Sequence, residues 1–346
     1  MVIVFFFLLL IVPCQNGSPT WPPKVGTYDQ VVSHFDFHFH PLTFKQRFVY
    51  EDRWYKPGFP IFFYCGNEGN IMEFWNNTGF VFDIAPMFNA LVVFGEHRYY
   101  GESTPFFNSF VQPYIGFLSI EEAMADFADL IAELKIEFNA TSSPVIAFGG
   151  SYGGMLAAYM RLRYPHIITG AIAASAPLKW VSGEENLHPF FESIKEIYSD
   201  TNESCVLVIQ AAYSEILKRS QDGRSGLKNI TMELNLCNTL ETEQDLDWML
   251  RWSRNAFVLM SMMNYPYASY HLPANPVNVS CNKAIEFGTR SPLTGLREAV
   301  GVFYDRSSES CFDYKSQYID CADVTGCGSG NDSVAWDFQV PVMANL

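Results

Sequence analysis

Residues 144–164 read PVIAFGGSYGGMLAAYMRLRY, and this stretch decides the fold. Val145–Phe148 is a short apolar run after a proline, and Met155–Tyr164 is helix-forming. Between them Gly149-Gly150-Ser151-Tyr152-Gly153-Gly154 matches the G-x-S-x-G pattern, in the strand–turn–helix context that separates a nucleophile elbow from a chance match. A turn this tight brings strand and helix backbones together, so flanking side chains would collide. Ser151 is thereby raised at the carboxyl end of the strand, with a helix N-terminus behind it. The Tyr152 amide then points where an oxyanion would form. A glycine-rich packing turn and a phosphate loop are the competing readings. The turn is too short for the latter and has no lysine at the Walker position.

Working outward, Ile61–Cys65, Ala90–Phe94 and Gly170–Ser175 are further short apolar runs, closed by Gly66-Asn67-Glu68-Gly69, Gly95 and Pro177. Between the second and the elbow, Ser119 and Glu122 have the spacing of a capping box. Ile120, Met124, Phe127, Ile131, Leu134 and Phe138 follow at helical spacing. Fully apolar strands separated by helices predict an α/β fold with a parallel sheet covered on both faces. Gly66 and Asn67 are the candidates for a second oxyanion donor, an ordinary strand-ending turn being the alternative. In Glu96-His97-Arg98-Tyr99-Tyr100-Gly101, His97 is assigned a structural hydrogen-bonding role, because the catalytic histidine of an α/β-hydrolase comes last in the chain. Glu96 and Arg98 read as an ion pair.

From about Ser182 the character changes. Phe190–Tyr198, Val206–Arg219 and Leu246–Met263 carry helical periodicity without short buried strands. Cys205, Cys237, Cys281, Cys311, Cys321 and Cys327 all lie in this half, and three disulfides are expected there. Zinc is the rival, but no histidine stands at ligand spacing, so no metal is expected. Cys65 reads as a buried free thiol. Met1–Val12 is almost wholly apolar and too short to span a bilayer, so residues 1–17 read as a signal peptide despite lacking a Lys or Arg. Asn76, Asn139, Asn202, Asn229, Asn278 and Asn331 each begin an N-x-S/T sequon, as suits an exported glycoprotein. A net charge of −15 argues against nucleic acid as a partner, and no other stretch could cross a membrane.

Tyr64–Gly69, Glu96–Gly101, Phe148–Tyr159, Ala173-Ala174-Ser175-Ala176-Pro177 and Asn264-Tyr265-Pro266-Tyr267 together resemble the proline-specific serine peptidases that comprise lysosomal Pro-X carboxypeptidase and dipeptidyl peptidase II. The likeness runs over residues 28–339. Within that family, Cys321–Gly328 and Ala335-Trp336-Asp337 look more like dipeptidyl peptidase II. The resemblance implies an α/β-hydrolase core begun by residues 28–181, a helical cap over 182–330 and a return to the core over 331–346. It implies Ser-His-Asp acyl-enzyme chemistry without a cofactor, in a lysosomal or secreted protein. The substrates implied are peptides with Pro or Ala second, releasing an N-terminal dipeptide; Pro-X carboxypeptidase action is the alternative, and a homodimer is left open. Holding a substrate amine calls for a carboxylate, with Asp337 the first candidate and Glu68 the second. A surface or capping role is the plainer reading of Asp337.

The family's partner motifs, resembling Asn-Gly-x-x-Asp-Pro-Trp and Gly-x-His-His, do not occur in the sequence. After Ser151 only His166, His188 and His271 follow, none in a matching motif. The chain is therefore expected to be a C-terminally truncated form, inactive alone. A non-catalytic binding or regulatory product is the second expectation. A lipase or esterase, which shares the elbow, is disfavoured because the likeness extends through the cap.

Overall fold

The computed structural model describes residues 19, 21–39, 42–178, 188–268, 272–304, 310–318 and 330–343. The chain divides into two compact units, Met1–Glu185 with Cys321–Leu346, and Asn186–Asp320.

The first unit is built on a six-stranded sheet in the order β1-β2-β4-β3-β5-β6. Its strands are β1 (Lys24–Val31), β2 (Thr43–Glu51), β3 (Ile61–Cys65), β4 (Leu91–Gly95), β5 (Val145–Gly150) and β6 (Gly170–Ala174). The four strands expected from apolar runs form the parallel part, β4-β3-β5-β6. β1 and β2 extend it antiparallel, so the sheet is mixed. Every residue of β3 and β4 is buried, and their alternating side chains feed two layers. Ile61, Phe63, Leu91 and Val93 pack with α3 (Ile120–Glu137) and α4 (Ser151–Arg163). Phe62, Tyr64, Val92 and Phe94 pack with α1 (Ile71–Asn77) and α2 (Phe80–Phe88). This α/β sandwich places the turns after β3, β4, β5 and β6 along one edge.

Two expectations about local pairing are corrected. Ser119 caps α3 by accepting the Glu122 N–H. The Glu122 carboxylate does not close the box: it accepts from the Ser33 hydroxyl at 2.5 Å and the His34 N–H at 2.9 Å, and faces Arg98 at 3.3 Å. Glu96 and Arg98 do not pair with each other either. Glu96 takes Arg47 from β2 at 2.5 Å, and Arg98 takes Asp126 from α3 at 2.6 Å. Each buried charge has an opposite charge from another element within reach, and burial requires such a partner.

The second unit is helical. It comprises α5 (His188–Thr201), α6 (Glu203–Ser220), α7 (Arg224–Glu233), α8 (Glu243–Met262), α9 (Pro276–Gly288), α10 (Pro292–Tyr304) and α11 (Tyr314–Gln317). One apolar core runs through it, with Trp252 stacked on Tyr304 at 4.8 Å. Two disulfides tie it, Cys205–Cys281 and Cys237–Cys311; Cys321 and Cys327 lie outside the described residues. Cys65 in β3 is a buried free thiol, and burial raises its pKa. All six sequon asparagines are exposed. Residues 1–18 are outside the described set, and no described helix is long and apolar enough to cross a membrane. A last helix, α12 (Asn331–Met343), belongs to the first unit.

Candidate active site

β5 runs directly into α4, which begins at Ser151 itself rather than at the expected Met155. Ser151 is exposed and holds φ at +53°, a left-handed backbone that a non-glycine residue adopts only where the surroundings enforce it. Those surroundings are glycine contacts. A Cβ at Gly149 would overlap the Gly153 carbonyl, and one at Gly153 would overlap Asn67 Oδ1 and sit 2.6 Å from the Cys65 carbonyl. The loop after β3 is therefore seated against the first turn of α4.

That loop carries the proposed second oxyanion donors. Gly66 donates its N–H to the Gly95 carbonyl at 3.0 Å, so this amide is already engaged. Asn67 is buried, donates from Nδ2 to the Gly150 carbonyl at 2.7 Å and accepts from the Tyr64 hydroxyl at 3.2 Å. Its side chain thus clamps the loop to the elbow. Glu68 adjoins it, with Oε2 buried and without a hydrogen-bond partner among the described residues; burial raises its pKa. Its charge bears on both Tyr100 and Tyr152, which puts it in the elbow's neighbourhood.

Behind the elbow runs a directional chain of buried hydrogen bonds. The Arg98 carbonyl can only accept, so His97 Nδ1 carries the proton that it receives at 2.7 Å. Burial lowers the His97 pKa to about 4, which keeps the ring neutral, and its Nε2 accepts the Tyr152 hydroxyl at 2.9 Å. Gln339 from α12 donates to the same Tyr152 oxygen and accepts from Tyr100 at 2.6 Å. Trp336 meets the Tyr152 ring edge-on at 5.7 Å, and Asp332 accepts the Gly101 N–H at 3.0 Å. Asp337 follows Trp336 on this helix, with one carboxylate oxygen buried. Sequence reading missed Gln339 and Tyr100; a buried glutamine on a helix leaves no periodic or motif signal.

The other described histidine side chains of this unit are not placed to activate Ser151. His34 bonds Asp126 at 2.9 Å and His38 bonds Asp36 at 2.9 Å. His166 is exposed beyond the far end of α4, about 20 Å from Ser151 by helical rise. His188 begins α5 in the other unit, and His271 is outside the described residues. The site as described brings together an exposed serine on a strand–helix turn, the amides of a helix N-terminus and a loop clamped against them.

Comparison with known proteins agrees with this geometry. Residues 30–340 match the model of the family described as serine carboxypeptidase S28. The chain is 40% identical to human lysosomal Pro-X carboxypeptidase, over 93% of its own length and 66% of the relative's. It is 38% identical to the mouse protein of that name, over 94% and 67%. Against the putative serine protease pcp-1 of Caenorhabditis elegans the figures are 36% identity, 94% and 60%. The sequence thus spans about two thirds of these relatives' length. A serine on a strained elbow, the α/β-hydrolase sheet and a match along nearly the whole chain converge: the chain belongs to the serine carboxypeptidase S28 family of serine peptidases.

Proposed function

We propose that this chain carries the nucleophile of an exopeptidase that cleaves beside proline through an acyl-enzyme. The observation that carries the reading is Ser151, exposed at φ +53° where a buried strand meets a helix N-terminus. In the proposed reaction Ser151 Oγ attacks the scissile carbonyl and its proton passes to a histidine. The C–N bond then breaks as that histidine protonates the leaving nitrogen, and water hydrolyses the ester by the reverse path. The Tyr152 and Asn67 N–H groups are assigned to the oxyanion. Gly66, with its N–H on Gly95, is assigned to close packing of the loop. The histidine and its orienting carboxylate are assigned to the part of the relatives' length that these 346 residues do not span. On this reading the 346-residue chain alone turns over little, since loss of a triad member costs about 10⁴ to 10⁶ in rate.

Release of the residue after a penultimate proline, from the C-terminal end, is the direction supported by relatives named lysosomal Pro-X carboxypeptidase. The lysosome is the compartment proposed with it, and the two disulfides fit passage through the secretory pathway. The second reading is release of N-terminal X-Pro or X-Ala dipeptides. Glu68 supports it, because one of its two carboxylate oxygens is buried without a hydrogen-bond partner among the described residues, which suits a substrate ammonium. Asp337 is the other amine-binding candidate.

The test uses a fluorophosphonate probe on the 346-residue protein and on a form extended by the relatives' remaining third. Rapid labelling of the extended form, abolished by Ser151→Ala, is expected. Labelling that survives Ser151→Ala overturns the assignment. Chromatography of a blocked prolyl-phenylalanine and of a Lys-Pro amide substrate then decides the direction by which fragment is released.

A further inference from the structure

The helical unit, taken by itself, holds a cavity of about 680 Å³ between α5, α6 and α8. Each helix presents one stripe to it: Phe191, Ile194, Lys195 and Tyr198 from α5 recur at i, i+3, i+4 and i+7, and the other two helices follow the same rule. Apolar stripes that face one another in a folded protein ordinarily close to crystal-like density. Here Tyr198 meets Phe257 edge-on at 5.4 Å, yet the space beside them is unfilled, and Phe191 and Leu217, which line it, remain 37% and 54% exposed. The volume lies in the range of small-molecule sites, roughly 300–1,000 Å³, and is far larger than one missing side chain.

The charges at the cavity are lopsided. Lys195, Arg251 and Arg254 line it against a single acid, Asp247. Asp247 is already paired with Arg251 at 3.0 Å. Lys195 makes no ion pair among the described residues, and Arg254 lays its guanidinium over the Phe191 ring at 5.1 Å, which leaves its N–H edge for an anion. This excess of positive charge stands in a chain of net charge −15, whose overall field disfavours anions.

We propose that this cavity binds a long-chain carboxylate, with the hydrocarbon among Tyr198, Val206, Ile209 and Phe257 and the head group on Lys195 and Arg254. The site is independent of Ser151 and of the peptidase reading. The test titrates a dansyl-labelled fatty acid into the 346-residue protein. Saturable one-to-one binding, displaced by palmitate, is expected. Lys195→Ala with Arg254→Ala weakens it about tenfold, the size of one charged hydrogen bond. Palmitate methyl ester displaces the probe from the wild type about tenfold less well than palmitate. Ile209→Trp, which fills the cavity, abolishes binding while the helical circular dichroism is kept; should that variant fail to fold, the ester and the double variant decide. Absence of saturable binding, equal competition by acid and ester, or full binding by folded Ile209→Trp overturns the proposal. So does a wild-type dimer, seen by sedimentation, that excludes the probe and dissociates in Ile209→Trp, for then the face belongs to a second copy.

Discussion

Gly153 shows how much of the site rests on one missing methyl group. Gly153→Ala drives a Cβ into the Asn67 side chain and the Cys65 carbonyl, so the loop after β3 must retreat from the elbow. Overpacking of this kind costs about 1–3 kcal/mol, readable as a lowered urea midpoint, and the displaced Asn67 amide slows fluorophosphonate labelling in the extended form. His97 yields a prediction in pH. Its folded pKa, near 4, lies below the ordinary 6.5 because burial disfavours the cation. Above about pH 6.5 both folded and unfolded chains hold it neutral, and its share of stability is whole. As pH falls toward 4 the unfolded chain takes up a proton that the folded chain refuses, so stability declines, by about 3 kcal/mol in all. Unfolding midpoints at pH 7 and pH 5 are expected to differ more in the wild type than in His97→Asn. Ser151 was legible in the sequence because a strained turn demands glycines at fixed, local spacing. Gln339 was not, because its partner Tyr152 lies 187 positions away.

At the scale of elements, ion pairs of unequal burial join the strands and helices that hold the elbow. Arg98, on the turn after β4, is fully buried against Asp126 of α3. Asp126→Asn removes the nearer of two counter-charges and leaves that guanidinium only the longer contact to Glu122 at 3.3 Å, an expected loss of about 3 kcal/mol in a chemical denaturation curve. Lys24–Asp52 joins β1 to the residue after β2 at 2.6 Å but lies in solvent, and Asp52→Asn is expected to leave the same curve nearly unmoved. The elements themselves were legible to different degrees. β3, β4, β5 and β6 are short apolar runs between turn residues, and the parallel arrangement follows from them. β2 escaped such reading because Lys45, Gln46 and Arg47 interrupt its apolar residues. Gln46 and Arg47 are nonetheless buried, since Gln46 donates to the Glu96 carbonyl and Arg47 pairs with the Glu96 carboxylate. Composition cannot show that a polar residue will find such partners. The half-made capping box has the same cause: Glu122 has the right spacing for Ser119, but Ser33, His34 and Arg98 compete for it.

Across the whole molecule the two units are stabilised by different means. The first buries a sheet between helical layers, and its one described cysteine, Cys65, is a free thiol. The second has no sheet among its described residues, and its two cross-links, one joining α6 to α9 and one joining the segment after α7 to the segment before α11, close loops of 76 and 74 residues. The sequence switches near Ser182 from short apolar runs to helical periodicity with cysteines, and the compact helical unit begins at Asn186. The cysteine pairing was not legible, because six cysteines allow fifteen connectivities and spacing alone does not choose among them. Closing loops of that size removes enough freedom from the unfolded chain to stabilise the fold by about 4 kcal/mol each in the chain-entropy account. Replacing Cys205 and Cys281 by serine should therefore weaken the helical unit by that order. Hydrogen exchange can locate the effect: amides of α6 and α9 are expected to lose protection, while those of β3 and β4 keep theirs. Equal loss in both units would mean that they unfold as one cooperative body, and the cross-link would then stabilise the elbow as well as the helical unit.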